Sequence, residues 1–223
     1  AVAERLSPVP VFGGFVDVQQ PDVEATLEAA APSPAVVVPL LLSAGYHVHV
    51  DLSDALEAEP RPTALADALG PDHRLVDLLI TRLLGLGLRS SDRIVLACAG
   101  SSDARAVEDC HEMGRMLAAS LGMPVRVGFI SAASPSLTDA VALERAAAPC
   151  ARVVVSTYLL APGYFAELAA ASQADLVSPP LLLAHVAPDP GLVDLVVDRY
   201  RVASRRLESF AAAPAPGVPL GLA

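Results

Sequence analysis

Two long stretches of this chain repeat one another. Pro10-Val11-Phe12-Gly13-Gly14-Phe15-Val16 aligns with Pro124-Val125-Arg126-Val127-Gly128-Phe129-Ile130 at an offset of 114, and Pro21 keeps that offset with Pro135. Further on the offset is 118: Val36-Val37 aligns with Val154-Val155, Leu41-Leu42 with Leu159-Leu160, and Gly45-Tyr46 with Gly163-Tyr164. An offset held across several elements constrains a fold more tightly than any one short motif. It predicts two copies of one unit, residues 1–91 and 92–208, followed by a disordered tail over 209–223 that is rich in Ala and Pro.

Each copy reads as alternating strands and helices. In the first, residues 1–6 are the end of a helix, 9–17 a strand, 22–30 a helix and 36–42 a strand. A helix to about residue 58, a strand over 63–69 and a helix opened by Asp72 follow. That helix carries Leu75, Leu78, Leu79, Leu83 and Leu86 at helical spacing. The second copy runs strand 94–99, helix 104–121, strand 125–130, helix 136–148, strand 152–160, a helix after Tyr164, a short strand 176–178 and a closing helix 190–206. Such alternation predicts an α/β fold: two similar α/β domains, each a parallel sheet flanked by helices, with a cleft between them. Val36 to Leu42 is apolar without alternation, which predicts a strand buried on both faces.

The second copy opens with a strand, the loop Ala99-Gly100-Ser101-Ser102-Asp103 and a long helix. The first shows only the end of that helix. About twenty residues holding one strand and one loop are therefore expected ahead of Ala1.

Composition narrows the function classes. The net charge of -10 argues against nucleic acid as a partner. No apolar run reaches the ~18 residues needed to span a membrane, and no signal peptide opens the chain. Three cysteines without close-pair spacing argue against a zinc ribbon or disulfide framework and fit a cytoplasmic protein.

The copies differ where chemistry is possible. His47 lies opposite Phe165 and Asp17 opposite Ser131. His47 is expected just past the carboxyl end of a strand, where open α/β sheets bind ligands. A neutral imidazole there can ligate a transition metal or accept a proton near neutral pH; capping the turn is the structural alternative. Ser101 and Ser102, at a helix start, can offer backbone N–H groups to a carboxylate, or can simply cap the helix. Arg105 and Arg126 are candidate partners for anionic groups, with surface ion pairing as the alternative. His185 lies near the carboxyl end of the last strand; a structural role competes with a cleft-lining one. His73 and His111 read as solvated.

The stretches VVVPLLLSAGYH, FVD before QQP, LGPD, VLACAGSSD and STYLLAPGYF resemble the class II sirohydrochlorin chelatases, in the long two-domain cobaltochelatase or ferrochelatase form of actinobacteria. The resemblance spans about residues 9–200. It implies a cytoplasmic lyase that inserts Co²⁺ or Fe²⁺, as substrate, into sirohydrochlorin in the cleft between the halves, without ATP or an organic cofactor, as a monomer or homodimer. It places His47 as catalytic base and metal ligand and Asp17 as a second metal ligand. It leaves Gly45, Tyr46, Ser101, Ser102, Arg105 and His185 to bind substrate. The family's other histidine stands in a His-Gly-Ser loop after the first strand; the second-copy counterpart has Ala99 there and cannot replace it. His49 departs from the family pattern and is not assigned. The alternatives are a tetrapyrrole- or metal-binding carrier without turnover, and an unrelated α/β cleft protein such as a periplasmic-type binding protein.

Overall fold

The computed structural model describes residues 1–16, 19–43 and 45–212, leaving aside the side chains of residues 46–51 and 210–212. The elements in order are α1 (Val2–Leu6), α2 (Val23–Ala30), β1 (Ala35–Val37), α3 (Tyr46–Glu57), β2 (Thr63–Leu65), α4 (His73–Gly85) and β3 (Arg93–Cys98). They continue with α5 (Ala104–Leu121), β4 (Val125–Phe129), α6 (Leu137–Ala147), β5 (Val153–Tyr158), α7 (Tyr164–Ala170), β6 (Leu176–Val177) and α8 (Pro190–Ala212). The strands form two parallel sheets, one of order β1-β2 and one of order β4-β3-β5-β6.

The larger sheet is apolar on both faces because helices cover both. Leu96 and Cys98 of β3 point into a cluster with Leu75, Leu79, Met113, Leu117 and Leu195 from α4, α5 and α8. Val95 and Ala97 point the other way, onto Leu137, Ala140 and Val141 of α6. This alternation is the two-residue period of a strand, and burial of both faces is why residues 94–98 of β3 and 153–155 of β5 read as unbroken apolar runs. The leucines of α4 expected at helical spacing face this core: Leu75, Leu79 and Leu83 are fully buried and Leu86 packs at its edge. Asp72 caps α4 by accepting from the Arg74 N–H at 3.0 Å.

The repeat recurs in the hydrogen bonding. The isolated bridges Phe15–Asp22 and Phe129–Ser136 are 114 residues apart, and each places a Phe N–H on a proline carbonyl, Pro21 at 2.9 Å and Pro135 at 3.0 Å. Asp22 and Ser136 then cap α2 and α6. A Cβ at Gly14 would meet Thr26, and one at Gly128 would meet Ala140, again at the same offset. Val36 pairs with Ala64 as Val154 pairs with Leu176.

The terminal helices cross between the halves. Arg199 of α8 donates to the carbonyls of Ala68 and Leu69, whereas Arg82 of α4 donates to the carbonyl of Leu181. Arg5 of α1 also pairs with Asp194 of α8.

Three expectations about the first half need correction. The run from Val36 is strand only to Val37; it pairs on one side alone among the described residues and is half-buried rather than buried. Pro39 lacks the N–H that a longer ladder needs. Residues 9–14 form no strand, and Val9, Val11, Phe12, Phe15 and Val16 are exposed. The expected turn at Tyr46 and His47 is instead the first turn of α3. In the second half, α8 continues to Ala212, past the expected end near residue 206; residues 213–223 lie outside the described residues. His111 is half-buried rather than solvated, edge-on to Phe129 with ring centroids 5.6 Å apart.

Glu144 of α6 holds the edge of the larger sheet. Its carboxylate accepts from Arg93 of β3 at 2.7 Å and from Arg126 of β4 at 2.6 Å. Arg126, a candidate anion partner, is thus committed to an ion pair. Burial pushes the Glu144 carboxyl up, but the hydrogen bonds from Arg126 and Arg93 outweigh it and hold it below the usual range. A depressed carboxyl adds stability above its unfolded value of about 4.3 and loses it as pH falls through the folded value. Glu144→Gln should therefore cost about 1–2 kcal/mol at pH 7, reduced from the fully buried case because both arginines are partly exposed. Urea unfolding at pH 7 and below pH 4 should show the gap from the parent narrowing in acid.

Candidate active site

A cavity of about 370 Å³ opens at the carboxyl ends of the strands. One wall is Leu40, Leu41, Leu42, Ser43 and Gly45, the chain that leaves β1 and enters α3. The other walls are Ala99-Gly100-Ser101 after β3 and Tyr158-Leu159-Leu160 at the end of β5, with Cys110 of α5 contributing as well. Leu41-Leu42 and Leu159-Leu160 are repeat partners, so the cleft is walled by equivalent segments of the two halves.

Backbone bonds hold these walls. Leu69 N–H donates to the Leu41 carbonyl at 2.8 Å, and Leu181 N–H to the Leu159 carbonyl at 3.0 Å. The buried Tyr158 hydroxyl crosses between halves to donate to the Leu42 carbonyl at 2.8 Å. Burial pushes the phenol well up, so it stays a donor. Gly70 is required beside it, since a Cβ there would strike the Tyr158 hydroxyl. Tyr158→Phe should cost about 1–2 kcal/mol, because the Leu42 carbonyl loses its buried partner; chemical denaturation measures it directly.

The loop after β3 turns at Gly100, whose φ is +92°. Ser131 N–H donates to the Ala99 carbonyl at 3.0 Å, and its hydroxyl donates to the same oxygen at 3.1 Å. Ser101 lines the cavity, and its hydroxyl accepts from the Asp103 N–H at 3.0 Å. Asp103 caps α5 by accepting from the Arg105 N–H. Beneath the cavity Cys98 and Cys110 meet: burial pushes the Cys98 thiol well up, while the hydrogen bond between the two holds Cys110 below the ordinary thiol range.

Gly45 and Ser101 therefore meet at one cavity; a Cβ at Gly45 would lie 4.0 Å from the Ser101 hydroxyl oxygen. Tyr46 and His47 form the first turn of the helix that Gly45 opens. Their side chains, and the whole of Asp17, lie outside the described residues. A helical backbone turns positions 47 and 49 about 200° apart, so His49 does not share the face of His47. Ser102 is exposed beside the cavity lining, and Arg105 is exposed with its guanidinium on Asp103. His185 is exposed in a left-handed conformation, φ +60°, and is not among the cavity-lining residues. His73 is exposed at the start of α4. Among the described residues no cluster of three or more His, Cys, Asp or Glu side chains is placed to hold a metal. Sequence reasoning missed Cys110, Tyr158 and the two leucine walls as cleft residues; the repeated Leu-Leu before each Gly-Tyr was the available signal.

Parallel sheets flanked by helices and a cleft at the strand ends define an α/β protein of the chelatase fold. The chain belongs to the CbiX family, whose model matches residues 1–85 and 93–203. It is similar to SirB from Bacillus subtilis solved with Fe³⁺, at 21% identity and a TM-score of 0.74, over 93% of this chain and 87% of that one. A second structure, the sirohydrochlorin chelatase SirB from Bacillus subtilis subspecies spizizenii in complex with cobalt, matches at 20% identity and a TM-score of 0.65, over 88% and 81%. DR2241 from Deinococcus radiodurans, a multi-domain protein with similarity to chelatases, matches at 19% and 0.56, over 82% of this chain but 44% of that one. At these identities the likeness is one of fold. No curated protein matches the chain.

Proposed function

We propose that this protein inserts a divalent metal, Co²⁺ or Fe²⁺, into sirohydrochlorin, with residues 1–91 and 92–208 as the two halves of the chelatase fold. The observation that carries the reading is the cleft. Its walls are paired leucine segments, and only one of its two repeat-related helix starts bears an imidazole, His47 against Phe165. Membership of the CbiX family supports the reaction class. The relatives solved with Fe³⁺ and with cobalt support a metal of this kind as substrate.

Metal insertion releases two pyrrole protons and needs a weak, transient hold on the ion. Imidazole and carboxylate suit Co²⁺ or Fe²⁺ without the tight capture that thiolates give. In this reading His47 and Asp17 hold the arriving ion, and neutral His47 accepts a proton as the ion leaves. The apolar walls contact the macrocycle, while Gly45, Tyr46, Ser101, Ser102 and Arg105 meet its edge and its carboxylates. In this reading the Ser101 hydroxyl, which accepts from the Asp103 N–H, and the Arg105 guanidinium, paired with Asp103, face the carboxylates of the substrate. The setting is cytoplasmic, and no described helix is long and apolar enough to cross a membrane.

The test is anaerobic incubation of the protein with sirohydrochlorin and Co²⁺ or Fe²⁺, followed by absorbance. Spectral conversion over many turnovers supports insertion. A shift that stops at one equivalent supports a carrier instead.

A further inference from the structure

The floor of the cleft carries two thiols that the proposed reaction does not use. Cys98 ends β3 and Cys110 lies on the buried face of α5, so the packing of that helix on that strand brings them together. Both belong to the apolar cluster that includes Leu69, Met113, Phe129 and Tyr158. Cys98 is fully buried, whereas Cys110 reaches the cavity lining beside Ser43 and Tyr158. The remaining cysteine, Cys150, is exposed ahead of β5, at the opposite end of the sheet from the cleft.

The two sulfurs are hydrogen-bonded to each other. The Cys98 thiol donates to the Cys110 sulfur, and the Ser43 hydroxyl donates to the same atom. Both bonds favour the charged form of Cys110, and they outweigh the burial and the Asp109 charge that oppose it. The pair is thus arranged to hold one negative charge at the end of a cavity of about 370 Å³, with one proton between two sulfurs.

Three properties decide which ion suits such a pair. Thiolates select soft ions over Co²⁺ or Fe²⁺. Among the described residues no third His, Cys, Asp or Glu completes a ligand set, so an ion that takes four ligands, such as Zn²⁺, is poorly held. Cu⁺, with a closed d shell, is satisfied by two thiolates in line. The third property is charge. Two thiolates and Cu⁺ carry one negative charge, the same as a thiol and a thiolate, so exchanging the proton for the ion adds no net charge to a buried site.

We propose that Cys98 and Cys110 form a two-coordinate site for Cu⁺ at the floor of the cleft, entered from the cavity on the Cys110 side. From the thiol–thiolate form one proton leaves, two S–Cu bonds form and no oxidation state changes. The Ser43 hydroxyl keeps its bond to the Cys110 sulfur. The site rests on the cavity and the thiols, and stands apart from the chelatase reading. A cleft that passes Co²⁺ or Fe²⁺ is not blocked by these thiols, because two soft donors alone hold those ions weakly.

The experiment is an anaerobic titration of the reduced 223-residue protein with Cu⁺ held by the chromophoric chelator bicinchoninate. The protein should withdraw one ion per chain, and X-ray absorption should show that copper bound by two sulfurs and nothing else. Cys98→Ser and Cys110→Ser should each weaken capture by more than the roughly 10–100-fold that loss of an outer-shell partner costs. Cys150→Ser should leave it unchanged. Cys98→Ala and Cys110→Ala, which bury no hydroxyl, repeat the comparison, with circular dichroism to check the fold. The absorption result on the parent protein needs no variant. Failure of the parent to capture Cu⁺, or a copper shell of three or more ligands, overturns the proposal. So does capture that survives loss of either buried thiol or that disappears in Cys150→Ser. Equally tight binding of Co²⁺ at the same sulfurs, seen as thiolate-to-cobalt charge-transfer absorption, overturns it as well.

Discussion

His47→Ala should lower the rate of sirohydrochlorin metallation by at least about 100-fold, the range expected when a positioned general base is removed. Part of the loss should appear as weaker use of the metal if, as proposed, the same imidazole holds the ion. The pH–rate profile should lose its acidic limb in the variant, because a protonated imidazole can neither hold the ion nor accept a proton. His49→Ala is the matched control: its position lies about 200° round α3, and its rate should stay within about threefold of the parent. Absorbance-monitored turnover of both variants checks the pair. Parental turnover in His47→Ala removes the base from this account.

Gly100→Ala should be the most destabilising single change near the cleft, costing about 3 kcal/mol or more. Two penalties combine. The residue sits at φ +92°, where an L side chain is strained. Its Cβ would also run into the Ser131 backbone carbonyl, which has no rotamer to move aside. Ser131 is fixed in turn by its two bonds to the Ala99 carbonyl. Relief therefore means separating the ends of β3 and β4, which deforms the cavity wall at Ala99 and Ser101 as well. Thermal and urea unfolding should show the loss, and the metallation rate should fall with it. Gly87→Ala also carries a positive φ, but nothing lies within 4 Å of its added Cβ, so it should cost only the conformational strain, about 1 kcal/mol. Equal losses at the two glycines would mean that the clash with Ser131 is not felt.

The second half of the fold was legible element by element, with boundaries within about two residues except at the end of α8. Its central strands β3 and β5 are covered on both faces and carry the apolar runs 94–98 and 153–155, and α5 and α6 begin after Asp103 and Ser136, residues that cap by side chain. The first half was less legible, for a physical reason. Apolar content at 9–16 and 36–42 reports what a segment can bury, whereas a ladder also needs a neighbour and N–H donors. Residues 9–14 have no neighbouring strand among the described residues, and Pro39 has no N–H.

The site was legible in outline. The paired Gly-Tyr motifs pointed to the strand ends where the cavity lies, and Gly45 and Ser101 both line it. Tyr158 was hidden in an apolar run; only the packing shows that its hydroxyl ties the halves together at Leu42. His185 was placed near the cleft by its nearness in sequence to a strand end, but it is exposed and does not line the cavity.

The most direct measurement of the central claim is the anaerobic rate of metal incorporation into sirohydrochlorin with catalytic amounts of the protein, no nucleotide, and Co²⁺ or Fe²⁺ supplied at low concentration. The account predicts many turnovers per protein molecule for at least one of the two ions, and collapse of that rate when position 47 loses its imidazole. A rate equal to that of sirohydrochlorin and metal alone would contradict it.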